Sequence, residues 1–90
     1  MEPEFRFRKS AFKHGLTEAD IKWAFRTARY DLPVEGYKNK RLLIGFDTKA
    51  NPVEILYNEF GDNGVNVFHA MACQSCFLRL LEEGDYYDGN

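Results

Sequence analysis

The chain has 90 residues, of which 44% are apolar and 16% aromatic. This length predicts one domain, 1–90, and the apolar fraction is high enough for a packed core, which excludes an intrinsically disordered chain. No apolar run approaches the roughly 20 residues that span a bilayer, and the first residues, Met1-Glu2-Pro3-Glu4, are acidic where a secretory signal is basic, so we expect a cytoplasmic protein with no membrane partner.

Charge is distributed unevenly along the chain, although the net charge is only −2. Residues 1–45 carry ten Lys and Arg against six Asp and Glu, whereas residues 46–90 carry two against eight. Such a distribution favours a cationic surface for RNA or for an acidic partner. The simpler alternative is that both parts only solvate the surface.

The first predicted elements are an arm or edge strand within 1–11 and an amphipathic helix. Phe5-Arg6-Phe7-Arg8 alternates apolar and basic residues, which is the period of a half-buried strand. Thr17 is the predicted N-cap of the helix and Asp20 completes a capping box, while Pro33 is expected to close the helix near Asp31. The helix face opposite the apolar stripe is basic and carries Lys22, Arg26 and Arg29.

The pattern then changes to strands, and we expect four of them, at 34–37, 41–46, 52–60 and 65–70, paired in sequence order. Gly61-Asp62-Asn63-Gly64 is typical of the loop of a hairpin. Helical character returns over 72–83, before an acidic tail at 84–90. The predicted fold is therefore α+β, with an N-terminal helix, a four-stranded and mainly antiparallel sheet, and a C-terminal helix.

Two histidines, His14 and His69, are the main candidates for chemistry. The sequence contains no Gly-rich phosphate loop, no HExxH motif and no Gly-x-Ser-x-Gly motif. RNA cleavage through the 2′-hydroxyl needs a base, an acid and cations, which two imidazoles and nearby basic residues can provide without a cofactor. Either histidine could instead be structural, at a turn or a strand end.

A metal site is a weaker possibility. His69, Cys73 and Cys76 have ligand-like spacing for zinc, but no fourth ligand is evident and cysteine is commonly a buried core residue. Trp23 lies off the apolar stripe of the helix, where an exposed indole is typical of a partner contact.

Three segments resemble the BrnT-like toxins of type II toxin-antitoxin pairs, which are small RelE-fold ribonucleases. They are Phe12-Lys13-His14-Gly15-Leu16-Thr17-Glu18, Arg41-Leu42-Leu43-Ile44-Gly45-Phe46-Asp47 and Val67-Phe68-His69-Ala70-Met71. The resemblance covers about Phe12 to Leu81 and implies a RelE/BrnT-like domain with Lys13, His14, Arg41 and His69 near the RNA. Gln74 and Cys76 stand where such toxins carry basic residues.

The sequence therefore predicts a metal-independent endoribonuclease of the toxin type, with Lys22, Arg26, Arg29 and Lys40 as further RNA contacts and no cofactor. The resemblance implies an acidic or ribbon-helix-helix antitoxin as partner, and a homodimer is a further possibility. Two alternatives stay open: a catalytically inactive protein-interaction or RNA-binding module, favoured by Gln74 and Cys76, and a small zinc domain.

Overall fold

The computed structural model describes residues 2–73. These residues form five strands, a short 3-10 helix and one α-helix, in the order β1 (Glu4–Phe7), 3-10 helix (Lys9–Phe12), α1 (Glu18–Arg26), β2 (Tyr30–Pro33), β3 (Arg41–Phe46), β4 (Pro52–Phe60) and β5 (Gly64–Ala72). The longest helix within residues 2–73 has nine residues, too few to span a bilayer.

The five strands form one mixed sheet in the order β1-β5-β4-β3-β2. Neighbours from β2 to β5 are antiparallel, whereas β1 runs parallel to β5, with Phe5 opposite Val65. The predicted four-stranded, mainly antiparallel sheet is therefore wrong, because the Phe5–Arg8 region contributes a fifth, parallel edge strand. Alternation of apolar and polar side chains identifies a strand but does not show which strand it pairs with. The partner of β1 is β5, which lies far along the chain.

The C-terminal helix predicted over 72–83 disagrees with the structure at its first residue, within the part of the chain that is described. Ala72, its expected first residue, is the last residue of β5 and lies opposite Val53. The remainder of that helix and the acidic tail fall outside the described residues. Over residues 2–73 the fold is thus mostly sheet with one α-helix on one face, and the arrangement of a sheet with N- and C-terminal helices is not observed.

Helix α1 begins as its sequence predicts. The Thr17 hydroxyl accepts a hydrogen bond from the Asp20 amide, and the Asp20 carboxylate accepts one from the Thr17 amide, each at 3.1 Å, which confirms the capping box. Ile21 and Ala24 are fully buried against the sheet. A Cβ atom on Gly45 of β3 would lie 2.2 Å from the carbonyl oxygen of Ala24, so the close approach of α1 to β3 requires glycine at that position.

The helix ends earlier than predicted, at Arg26 and not near Asp31. The Thr27 hydroxyl donates to the carbonyl of Trp23 at 2.8 Å and accepts from the amide of Phe46 at 3.0 Å, so it ends the helix while tying it to β3. Residues 30–33 then form β2 at the sheet edge, where Pro33 is tolerated as the last residue. The strand expected at 34–37 is a turn with Gly36 at φ 89°.

The sheet has two distinct faces. The inner face packs on α1 and buries alternate residues such as Leu43, Ile55 and Val67. The outer face carries the residues between them, including Glu54 and Leu56 of β4. A β-bulge interrupts the β4–β5 pairing: Leu56 lies opposite His69 and Tyr57 opposite Val67, so Phe68 is the extra residue.

Candidate histidine site

The structure brings His14 and His69 together at the edge of the sheet. Strand β1 leaves β5 after Phe7, and the 3-10 helix then packs against β5, where the Ser10 hydroxyl donates to the carbonyl of Phe68. The turn after this helix, with Gly15 at φ 91°, places His14 beside His69. The two ring centroids lie 5.6 Å apart, with the ring planes at 70°.

A third residue, Glu54, completes this group, and we refer to His14, His69 and Glu54 as the histidine site. The distance from His69 Nε2 to Glu54 Oε2 is 2.9 Å. An ionised carboxylate only accepts hydrogen bonds, so His69 donates through Nε2, and Nδ1 is left for another partner. The side chains of His69 and Glu54 are 25% and 29% exposed, and His14 is exposed, so solvent and ligands reach the group.

Glu54 was missed by the sequence reasoning, although a signal for it exists. Glu54 is an outward-facing acid in an otherwise apolar alternation along β4, opposite Met71 and therefore diagonal to His69. Finding it requires the register of β4 against β5. The bulge at Phe68 changes that register, and no residue pattern in the sequence marks the bulge.

Lys13, Lys40 and Arg29 are the predicted site cations that form no ion pair within residues 2–73. Lys13 precedes His14 in the exposed turn, and neither lysine forms an ion pair within residues 2–73. Lys40 Nζ lies 3.9 Å from the ring centroid of Tyr37 and 5.8 Å from that of Phe68, the residue before His69. Both lysines are therefore available to an anionic ligand.

Arg41, in contrast, does not join the histidine site. It lies opposite Tyr57, whose ring is buried on the inner face, whereas His69 lies opposite Leu56 on the outer face. Arg41 Nε donates to Asp31 at 3.0 Å and to the Tyr57 hydroxyl at 3.2 Å. The guanidinium that the resemblance placed near the RNA is thus bound to a carboxylate on the other side of the sheet.

We refer to Arg41, Asp31 and Tyr57 as the inner network. The Tyr57 hydroxyl donates to Asp31 at 2.7 Å, and a second Arg41 nitrogen donates to the Asp31 carbonyl at 2.8 Å. Burial raises the pKa of Tyr57, and the hydrogen bond to Asp31 raises it further, so the phenol stays protonated as a donor. The network joins β2, β3 and β4 and has a structural role.

The predicted RNA contacts on α1 are also separate from the histidine site. Lys22 lies 4.0 Å from Glu18, and Arg26 makes a 2.8 Å ion pair with Glu2, while α1 itself covers the inner face. The guanidinium of Arg29 lies 5.9 Å from the ring of Phe46. Of the basic ridge predicted on this helix, only Lys22 and Arg26 lie on α1, and both are partly neutralised within the chain, whereas Arg29 follows the end of the helix at Arg26.

The zinc alternative finds no support among the described residues. Within residues 2–73, no group of three or more His, Cys, Asp or Glu side chains is placed to hold a metal ion. His69 is bound to Glu54, Cys73 is buried just after β5, and Cys76 lies outside the described residues.

The larger cavities lie away from the histidines. One of about 420 Å³ lies between the N-terminal segment and α1, lined by Glu2, Pro3, Lys22, Phe25 and Arg26. A second, of about 450 Å³, lies between the same segment and the β4–β5 turn. Neither cavity is lined by His14, His69 or Glu54, and within residues 2–73 the solvent-accessible histidine site suits an extended polymer better than a small enclosed ligand.

Comparison with known protein families, with functionally characterised proteins and with solved structures finds no match to this chain.

Proposed function

We propose that this chain is an endoribonuclease that cleaves RNA without a metal ion, with His14 and His69 as its acid–base pair. The observation that supports this proposal is the contact between the two imidazoles, 5.6 Å apart on one accessible surface although they are distant in the sequence. The BrnT-like segments Lys13-His14-Gly15 and His69-Ala70-Met71 support the same reading and add the role of toxin in a type II toxin-antitoxin pair.

The proposed reaction needs one neutral and one protonated imidazole. The neutral ring takes the proton of the 2′-hydroxyl as its oxygen attacks the adjacent phosphorus, and the protonated ring gives its proton to the departing 5′-oxygen. The products are a 2′,3′-cyclic phosphate and a 5′-hydroxyl. Each ring nitrogen must come within roughly 2.6–3.2 Å of its oxygen, which neighbouring imidazoles on one surface allow.

Glu54 has a positioning role in this proposal. Its hydrogen bond to Nε2 holds the His69 ring in one orientation and leaves Nδ1 as the nitrogen that exchanges a proton with substrate. Charge on the phosphorane needs cations, and Lys13 is the nearest candidate in sequence that has no ion pair within residues 2–73. Arg41 has no part in the reaction because Asp31 binds it on the inner face.

The test is cleavage of single-stranded RNA by the purified protein in the presence of a chelator. We expect His14→Ala and His69→Ala each to lower the rate by roughly 100- to 10,000-fold, the usual contribution of a general acid or base. Lys49→Ala, which removes an exposed cation from the β3–β4 turn, is the matched control and should leave the rate unchanged. Full activity of both histidine variants, or activity that requires a metal ion, would refute the mechanism.

The toxin role has its own test. Expression of the chain alone should slow bacterial growth, and His69→Ala should relieve the effect at the same protein level. An acidic or ribbon-helix-helix antitoxin should block cleavage by covering the histidine site. Growth inhibition that persists in the His69 variant would separate toxicity from the proposed chemistry.

A second candidate function is a non-catalytic protein-interaction module. Trp23 is 42% exposed on α1, beside cations that are already partly paired within the chain. An exposed indole of this kind is typical of a contact with a protein partner. This candidate predicts intact RNA in the cleavage assay and loss of partner binding in Trp23→Ala, with His69→Ala unaffected.

A further inference from the structure

Next to the histidine site, two aromatic side chains and a lysine form a second accessible group on the outer face. Tyr37 is 58% exposed, the most exposed large apolar or aromatic side chain in residues 2–73. Lys40 Nζ lies over its ring at 3.9 Å and within 5.8 Å of the ring centroid of Phe68. We refer to Tyr37, Lys40 and Phe68 as the aromatic platform.

The fold holds this platform in place at both ends. Phe68 is the extra residue of the β-bulge, and its carbonyl accepts a hydrogen bond from Ser10, so its position is fixed immediately beside His69. The loop that carries Tyr37 is pinned to β4 through Asn39, which donates to the Glu59 carbonyl at 2.9 Å and accepts from the Glu59 amide at 3.0 Å. The platform is therefore preorganised on the same surface as the histidines.

The charge of the platform favours an anionic ligand with flat rings. Lys40 forms no ion pair within residues 2–73, and its ammonium group lies against the rings of Tyr37 and Phe68. One face of Tyr37 is covered by Lys40, which leaves ring surface for stacking. Aromatic side chains that stack on bases, next to a cation that meets the backbone, are the usual means of binding single-stranded nucleic acid.

We propose that the aromatic platform binds an unpaired nucleobase of single-stranded RNA, stacked on Tyr37 and Phe68, with Lys40 on the adjoining phosphate. The inference rests on the proposed function, because Phe68 and His69 are consecutive residues and a base held on the platform sets which phosphate reaches the histidine site. The platform is then the part of the surface that selects single-stranded over double-stranded RNA.

Binding is measured separately from cleavage, with a fluorescent single-stranded oligoribonucleotide and the His69→Ala protein. Tyr37→Leu keeps apolar volume and removes the ring, and it should weaken binding by about 5- to 150-fold. Lys40→Gln should reduce the slope of log affinity against log salt by about 0.7, the contribution of one phosphate contact in a single strand. Trp23→Leu, which removes an exposed ring from α1, is the matched control and should change neither quantity.

The outcomes separate the two proposals. If the unsubstituted protein cleaves RNA but Tyr37→Leu binds as tightly as its parent, the platform is refuted and the ribonuclease proposal stands. If Tyr37→Leu weakens binding while the histidine substitutions do not change the rate of RNA cleavage, the platform is supported and the catalytic mechanism is refuted. Equal weakening by Trp23→Leu, or no binding of the oligoribonucleotide at all, refutes the platform. Circular dichroism of each variant checks that the sheet is retained.

Discussion

Each face of the sheet carries a carboxylate that accepts hydrogen bonds from neighbouring side chains, but the two groups differ in what they leave accessible. On the inner face, Asp31 binds Arg41 and Tyr57, and Tyr57 is only 3% exposed. On the outer face, Glu54 binds His69, but Nδ1 of that ring and both nitrogens of His14 have no hydrogen-bond partner within residues 2–73.

On the inner face the Tyr57 hydroxyl donates to Asp31 from a buried ring, so this hydrogen bond contributes to stability, although the Asp31 side chain itself is 38% exposed. A carboxylate that fixes one side of an accessible imidazole leaves the other side free for proton transfer. The position of a charged residue on one face or the other therefore decides its role. The comparison predicts that inner-face substitutions lower the free energy of unfolding and spare RNA cleavage, and that outer-face substitutions do the reverse.

Gly45→Ala should produce the largest loss of stability. The added Cβ would lie 2.2 Å from the carbonyl oxygen of Ala24 and 2.9 Å from its carbonyl carbon, so α1 must move away from β3. Overpacking of this kind costs about 1–3 kcal/mol or more. Urea unfolding followed by circular dichroism measures the change, and the cleavage rate per folded molecule should stay the same. A change below roughly 0.5 kcal/mol would show that the helix is not seated against β3 as described.

Tyr57→Phe should have the next largest effect. The substitution removes the hydroxyl that donates to Asp31 and accepts from Arg41, and it leaves the ring packed against Phe25. The Tyr57 hydroxyl is buried but its charged partner Asp31 is 38% exposed, so we expect the loss of this hydrogen bond to cost about 1–2 kcal/mol.

Tyr30→Phe is the matched control, because the Tyr30 hydroxyl makes no hydrogen bond within residues 2–73. Equal effects of the two substitutions on the free energy of unfolding, or a loss of RNA cleavage in Tyr57→Phe, would contradict the assignment of the inner network to stability.

Arg41 shows where prediction from the sequence reaches its limit. The capping box of α1 and the β4–β5 hairpin are local features, and both are found where the sequence places them. The face on which Arg41 lies depends on the register of three strands, and residue types alone do not specify it. Its partner Asp31 was expected near the end of a helix, although it belongs to β2.

The histidine site was only partly predictable for the same reason. His14 and His69 are the two histidines of a chain with few nucleophiles, so residue type identified them. Their contact depends on the parallel strand β1, which carries the chain to the β5 edge before the turn at His14. The pairing of β1 with β5 depends on contacts between distant segments, and Glu54 could be recognised only through the register of β4 against β5, which the bulge at Phe68 changes.

Asp20→Asn should make the free energy of unfolding less sensitive to acid. The hydrogen bond from the Thr48 hydroxyl, with those from Thr17, lowers the pKa of Asp20 below its usual 3.8. A folded-state pKa below the unfolded value stabilises the fold above about pH 4, and this contribution is lost as pH falls further.

Because Asp20 is only half-buried and screened by solvent, we expect the contribution to be at most about 1 kcal/mol. Urea unfolding between pH 6 and 2 should show a shallower decline for Asp20→Asn than for the parent. Glu18→Gln removes a carboxylate from the same turn without touching Thr48 and should retain the parent's decline. If the free energy of unfolding of Asp20→Asn fell as steeply with acid as that of the parent, Asp20 would not contribute to the pH dependence.

Glu54→Gln should have the smallest effect on stability and is the sharpest test of the comparison between faces. The side chains of Glu54 and His69 are part-exposed, so losing the charge should cost less than about 1 kcal/mol. The amide still accepts a hydrogen bond but can also rotate to present its donor, so the His69 ring is less well held. RNA cleavage should fall by less than the roughly 100-fold minimum expected for the histidines themselves.

The fall should appear in kcat with KM unchanged, since Glu54 holds His69 and does not touch the substrate. Glu59→Gln changes a carboxylate of the same strand outside the histidine site and should alter neither constant. If Glu54→Gln were to lower the free energy of unfolding as much as Tyr57→Phe while cleavage stayed constant, the outer carboxylate would be structural like the inner one, and the division of labour between the two faces would fail.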